Sequence, residues 1–289
     1  MSSRNNQDRF GSGLEEQPLG SPTDAGTETP PQSAGNSGLS FVVPTEVVEI
    51  PSKGIFYPEG HPLCGSETIE IKHMTAKEEE ILASQNLIRK GVVLDKLFES
   101  IIVDKAINID DIILGDKNAI MLAVRILGYG PEYTVQVQDE MGDAHKTSVD
   151  LSKVQTKETD LELLNRENSY TYTTTTGVNL QWRILTHGDE KKIDADIKAL
   201  NRLNQDAPSA ELTTRYRYMI TSVDGKEDAK SINDFINNKF LTRDTRAFRE
   251  NVRKHQPDIN MEFPFTNPTT GDTEVKPIPM GVGFFWPTD

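Results

Sequence analysis

The sequence predicts an α+β protein of two related lobes, each with short antiparallel strands or hairpins and a small helical cluster, preceded by a disordered N-terminal arm. Three observations lead there. Landmarks recur in the same order in the two halves of the 289 residues, short alternating runs are separated by turn residues, and residues 1–40 carry few large apolar side chains. The first copy reads Val48-Glu49-Ile50-Pro51-Ser52-Lys53-Gly54-Ile55, then Ile69-Glu70-Ile71-Lys72-His73-Met74-Thr75-Ala76-Lys77-Glu78-Glu79. The second reads Tyr172-Thr173-Thr174-Thr175-Thr176-Gly177-Val178, then Leu180-Gln181-Trp182-Arg183-Ile184-Leu185-Thr186-His187-Gly188-Asp189-Glu190. Each half closes on a polar knuckle ending in glycine, Gln138-Asp139-Glu140-Met141-Gly142 and Asn267-Pro268-Thr269-Thr270-Gly271. Coincidence between two strand–helix units is the competing explanation. The expected division is an arm over 1–40, a first lobe over 41–155 and a second lobe over 156–289, a duplication of the first.

The arm is rich in Ser, Gly, Asn, Pro, Thr and Gln and cannot bury enough apolar surface to offset the entropy of ordering it. Order is expected from about Phe41. Ile50 to Pro62 holds Pro51, Gly54, Pro58, Gly60 and Pro62, the composition of a turn-rich loop, with Phe56 and Tyr57 stapling it to the core. Glu67 to Lys72 alternates as a strand. Thr75, with Glu78 three residues on, forms a capping box for a helix running toward Leu87 and Ile88. After Gly91, the spacing of Val93, Leu94, Leu97, Phe98, Ile101 and Ile102 predicts a second helix. A third is expected with Asp116 as N-cap and Ile120, Met121, Val124 and Leu127 on one face, stopping at Gly128-Tyr129-Gly130-Pro131. Tyr133 to Val137 and Lys146 to Leu151 form a hairpin.

A polar connector over 152–167 leads to a second hairpin, Ser169–Thr176 with Val178–Leu185, turning at Gly177. Helices are expected over Asp189–Leu203, Ala210–Ile220 and Asp228–Phe240, followed by one capped by Asp244 and reaching about Lys254; Asn204 to Ser209 is a loop. Met261 to Phe263 pairs with Thr273 to Ile278, and the chain closes on Phe284-Phe285-Trp286-Pro287.

Composition narrows function. A formal charge of -14 opposes nucleic-acid binding, which needs a basic face against phosphates. One cysteine, Cys64, excludes an internal disulfide and a cysteine-based zinc site, and fits a reducing compartment. No secretory h-region is present, and no stretch approaches the roughly 20 apolar residues of a membrane span.

Catalytic signals are weak. Gly115-Asp116-Lys117-Asn118 lacks the glycines and Lys-Ser/Thr of a phosphate loop. His187 beside Asp189 has no accompanying nucleophile motif. The histidines His61, His73, His145, His187 and His255 show no metal-binding spacing, and Cys64 has no local partner. No catalytic, cofactor or metal residue is assigned. Arg243, Arg246, Arg249 and Arg253 fall three and four apart and form the clearest basic stripe in an acidic chain. They and the aromatic trio Phe284, Phe285 and Trp286 are the candidate partner-binding residues; the trio is expected to dock into the core of the second lobe or at an interface.

With these landmarks placed, the chain resembles the baseplate proteins of T-even-type contractile-tailed bacteriophages. The resemblance is carried by Pro51-Ser52-Lys53-Gly54 with Tyr57-Pro58, Met74-Thr75-Ala76-Lys77-Glu78-Glu79, Gly115-Asp116-Lys117-Asn118-Ala119 and Tyr129-Gly130. In the second half it is carried by Leu185 to Glu190, Met219-Ile220-Thr221-Ser222-Val223-Asp224-Gly225, Arg243-Asp244-Thr245-Arg246-Ala247 and Phe284 to Pro287. It covers about residues 43–289 and implies a component of the tail baseplate hub, acting in tail assembly through contacts with other hub and tail proteins. The implied location is the host cytoplasm during assembly, then the virion tail baseplate. A hub chaperone absent from the virion and a tail-associated cell-wall hydrolase are the rivals. The resemblance further implies Cys-x-x-Cys-Gly knuckles in relatives, where this chain has Gln138, Met141, Asn267 and Thr270. If relatives share a zinc there, the two hairpins should lie close together.

Overall fold

Strand-forming runs pair with their sequence neighbours, and amphipathic helices pack over them. The computed structural model describes residues 43–139, 142–203 and 210–285. The arm expected over 1–40, Met141 of the first knuckle, the loop over 204–209 and Trp286 lie outside the described residues.

In the first half, β1 (Thr45–Glu49) pairs antiparallel with β2 (Thr68–Lys72), with Thr45 opposite Lys72. The loop between them folds back so that Phe56 and Tyr57 are buried, as the sequence predicts. Gly54 permits this: its φ is +68°, and a Cβ there would stand 2.4 Å from the Ser66 nitrogen. Next come α1 (Ala76–Ala83), α2 (Gln85–Lys90), α3 (Val93–Ile101) and α4 (Leu114–Tyr129). The half closes on the hairpin of β3 (Glu132–Gln138) and β4 (Ala144–Asp150).

In the second half, β5 (Tyr170–Thr173) and β6 (Asn179–Trp182) form the expected hairpin, followed by α5 (His187–Leu203) and α6 (Glu211–Met219). Strand β7 (Ile220–Val223) then returns to pair with β6. Helices α7 (Ala229–Asn238) and α8 (Thr242–His255) lead to the hairpin of β8 (Glu262–Thr266) and β9 (Thr273–Pro277). Small antiparallel sheets and helices thus alternate, and the fold is α+β. Buried apolar residues of both halves join one continuous core. The halves are tied by an Ile113–Thr186 bridge and by Gly115, where a Cβ would stand 1.8 Å from the Pro257 carbonyl oxygen.

Local expectations fail in three places. The helix after Thr75 does not run on to Leu87 and Ile88: Ser84 is extended, with φ −68° and ψ 101°, and separates α1 from α2. Strand β7 was not visible in Ile220-Thr221-Ser222-Val223, because its strand character comes from pairing with β6 rather than from alternation. Asp116 and Asp244 are not N-caps. Ile113 and Leu241 hold those positions, and each aspartate is the third residue of its helix. A carboxylate there still suits the helix dipole, but both turn away to a hairpin loop. Asp116 accepts from Ser52 N at 2.9 Å, Ser52 Oγ at 2.6 Å and Tyr57 Oη at 2.7 Å. Asp244 accepts from Thr175 N at 2.8 Å and Thr175 Oγ1 at 2.5 Å.

That parallel extends along the chain. Glu78 accepts from Thr75 N and Oγ1, three residues back, and from Lys72, six back. Asp189 accepts from Thr186 N and Oγ1 and from Arg183 at the same separations. At the knuckles, Gly142 N bonds to Asp139 O and Gly271 N to Asn267 O. The structural counterpart of Asn267 is therefore Asp139, one residue beyond the Gln138 chosen by sequence. Asn267 Nδ2 donates to Asp139 Oδ2 at 3.3 Å, so the two hairpins do lie side by side.

Candidate functional site

Helix α8 is anchored by Asp244 and Phe248. Asp244 holds its first turn to the β5–β6 loop. Phe248, fully buried, meets Tyr172, Trp182, Tyr216 and Phe240 at ring separations of 5.4–5.9 Å. With that side fixed inward, Arg243, Arg246, Arg249 and Arg253 are all exposed. Arg253 sits 3.3 Å from Glu250, a solvated pair. Arg246 and Arg249 have no ion pair among the described residues. An unneutralised guanidinium face on a chain of charge -14 is suited to a carboxylate-bearing surface, because the planar fork pairs with carboxylates and stacks on aromatics.

Beside this face runs a cleft of about 800 Å³ between α8 and the β8–β9 hairpin. Arg249, Val252, Arg253 and Gln256 form its helix wall, and Met261 and Pro277 its hairpin wall. The connector closes the third side: Thr156 bridges to Ile259, and Lys157 N donates to Asp258 O at 2.8 Å. Lys157 Nζ is spent on the carbonyls of Arg253 and Gln256 at the end of α8. The stripe was legible from spacing, whereas the cleft was not, since its walls come from three separated segments.

Of the aromatic tail, Phe284 and Phe285 do not enter the core of the second lobe, the first of the two places expected. Phe284 and Phe285 are 1% and 0% exposed and pack on the first half rather than in the second. Phe284 meets Tyr133 edge-on at 5.0 Å and Phe285 at 5.6 Å. Arg125, 2% exposed, organises this junction: Nε donates to Phe284 O, Nη1 to Gly130 O and Nη2 to Glu132 O, at 2.9–3.0 Å. Its guanidinium lies 5.3 Å and 5.6 Å from the ring centroids of Tyr129 and Tyr133. Sequence reasoning missed Arg125, and the signal was a cation set within the apolar run from Ala119 to Leu127.

His187 Nε2, Asp189 and the acids of a second hollow have partners. His187 does not pair with Asp189; its Nε2 is 2.5 Å from Asp95 Oδ1, while Asp189 holds both Arg183 nitrogens. A second hollow, about 420 Å³ between α3 and the following loop, is lined by Asp95, Glu99, Asp104 and Asp110. Each has a partner: Lys191 bridges Asp95 and Asp110, Lys96 meets Glu99, and Asp104 accepts from Ala106 N. Cys64 is half-buried and free, in a turn whose His61 Nδ1 accepts from Leu63 N. Among the described residues no group of His, Cys, Asp and Glu is placed to hold a metal. At the knuckles Asp139 is bonded to His145 at 3.0 Å as well as to Asn267.

The buried acids that set the helix ends make a pH prediction. Burial pushes the Glu78 carboxyl up, but donors from Ser100, Thr75 and Lys72 outweigh it and hold it at about 2. Asp95 is likewise held at about 2, with burial opposed by His187 and Lys191. A carboxyl with a depressed folded pKa adds stability above its unfolded pKa and loses it as pH falls toward the folded value. For Glu78 that window runs from about 4.5 down to about 2. Glu78→Gln is expected to flatten the acid limb of a stability–pH curve from chemical denaturation in that window. An unchanged limb would show that the carboxylate is not so held.

A family model described as T4 bacteriophage base plate protein matches residues 45–286. No curated protein and no solved structure gives a match.

Proposed function

The chain belongs to the T4 bacteriophage base plate protein family, and from that premise we propose that it is a structural component of the baseplate hub of a contractile-tailed phage, working through protein–protein contacts and not as an enzyme. The observation that carries this is the extent of the family match, which takes in both halves of the fold. The ion pairs that hold Asp95, Asp189 and His187 Nε2 are consistent with a scaffold role. Its partners are other hub and tail proteins; it works without nucleic acid or cofactor. No helix among the described residues is long and apolar enough to cross a membrane. The protein is made in the host cytoplasm and retained in the virion tail. Mass spectrometry of purified virions tests retention: absence from the particle would return the hub-chaperone reading. Activity on peptidoglycan in a zymogram would return the hydrolase.

The scaffold is a duplication, with 41–155 and 156–289 as its two lobes. The paired Ser52–Asp116 and Thr175–Asp244 contacts, and the matched bonds at Glu78 and Asp189, support that reading. The exposed face of α8 docks against an acidic surface of a neighbouring baseplate protein. Exposed ion pairs contribute at most about 1 kcal/mol each, so the arginines matter little for folding. Arg246→Glu combined with Arg249→Glu is expected to leave the circular-dichroism melt unchanged and to weaken capture of hub proteins in a pull-down from infected cells. Normal capture with both charges reversed would reduce the stripe to a solvated face.

A further inference from the structure

The two halves exchange the segments that leave their closing hairpins. Leu151 N bonds to Pro131 O and Ile278 N to Met261 O as the chain exits β4 and β9. The segment after β4 then crosses to the second half, where Gln155 to Lys157 line up with Asp258 to Asn260. The segment after β9 crosses to the first half, where Tyr133 Oη donates to Pro279 O at 3.4 Å and Phe284 settles on Tyr133 and Arg125.

The receiving sites correspond residue by residue. Arg253 follows Asp244 by the same number of positions as Arg125 follows Asp116, and Met261 precedes Asn267 as Tyr133 precedes Asp139. Lys157 stands as far beyond Leu151 as Phe284 stands beyond Ile278. The contents differ. In the first half Phe284 and Phe285 fill the site against α4, where Met121 and Val124 are buried. In the second half the visiting residues are Lys157 and Glu158, and their counterparts Arg249 and Val252 line an open cleft. A site built to receive a segment has been given one without the aromatic rings that would fill it.

We infer that this cleft is a docking groove for an aromatic, carboxylate-bearing segment of a partner polypeptide, seated as Phe284 is seated on Arg125 and Tyr133. The inference deepens the docking role proposed above for α8 and rests on it. Aromatic rings supply the large anchors that dominate such interfaces, and Val252, Met261 and Pro277 offer them apolar walls. Arg249, which has no ion pair among the described residues, and Arg253, which shares Glu250, offer guanidinium partners to a carboxylate on a lining that also carries Glu158, Asp258 and Glu262.

The test uses the full-length protein and a fluorescein-labelled peptide of residues 279–289 of this chain, which combines Phe284, Phe285 and Trp286 with Asp289. Fluorescence anisotropy is expected to show saturable binding, weakened more than about tenfold by Arg253→Glu or Met261→Asp in the protein, or by Phe284→Ala with Phe285→Ala in the peptide. Circular-dichroism melting confirms that each variant is folded; Arg253 is exposed, which makes it the safer of the two. No saturable binding would overturn the inference. So would binding that survives both protein substitutions, since the peptide would then sit elsewhere, for example on the Arg125 site. Either failure leaves the pull-down result for Arg246→Glu with Arg249→Glu standing, so the two readings fail separately.

Discussion

Replacing Phe284 and Phe285 together by alanine is expected to cause the largest loss of stability. Both rings are almost fully buried, and they close the core over α4 from the far end of the chain. Truncating a buried phenylalanine costs roughly 3–5 kcal/mol, and neighbouring truncations couple, so the pair is expected to cost less than twice that. At this chain size the melting temperature falls by roughly 2–4 °C per kcal/mol, which predicts a drop of roughly 10 °C or more. The change also exposes Tyr133 and leaves Arg125 beside an opened cavity, so a fraction of the protein should become insoluble. Differential scanning calorimetry of the soluble fraction is the measurement. An unchanged melting temperature would mean that the tail does not pack on α4 in solution.

Asp116→Ala is expected to follow closely. Its carboxylate is fully buried and gathers three donors from the β1–β2 loop: Ser52 N, Ser52 Oγ and Tyr57 Oη. Tyr57 Oη also receives Ile113 N at 3.4 Å, so the loop, the tyrosine and the start of α4 form one network. Removing the acceptor orphans donors that cost about 1–3 kcal/mol each when unpaired and buried, giving a loss on the order of 3 kcal/mol or more. The carboxyl itself is pushed up to about 6, because burial and the nearby Asp258 outweigh the donors from Ser52 and Tyr57. A folded pKa raised above the unfolded value gives stability that is full below about 3.8 and declines as pH rises toward about 6. Urea denaturation of wild type and Asp116→Asn across that range should show the decline only in wild type. Equal stabilities of wild type and Asp116→Ala would remove Asp116 from its central place. The corresponding Asp244→Ala, with two donors from Thr175, is expected to cost less.

Much of this was legible in the chain because it is local. The Thr75–Glu78 bonds, the stop at Gly91, the hairpins turning at Gly142, Gly177 and Gly271, and the outward face of α8 each depend on residues a few positions apart. Asp228 capping α7 through Ser231 N belongs with them. The recurrence of landmarks was also visible, since order along the chain is a property of the sequence. The two misread caps have a common cause. Asp116 and Asp244 carry the residue type of an N-cap, and nothing nearby reveals that Ser52 and Thr175 compete for them from well over fifty residues away.

The sequence by itself determined the α+β class, the boundaries of most elements, the acidic charge and the basic stripe, because periodicity, turn chemistry and composition act over a few residues. Only the tertiary structure decided which half the aromatic tail closes, that Arg125 anchors it, that β7 joins β6, and that the cleft beside Arg253 stands open. Those outcomes depend on which distant surfaces bury each other. Apolar burial is non-directional and leaves no local signature, so several segments compete for one site until the whole core is packed.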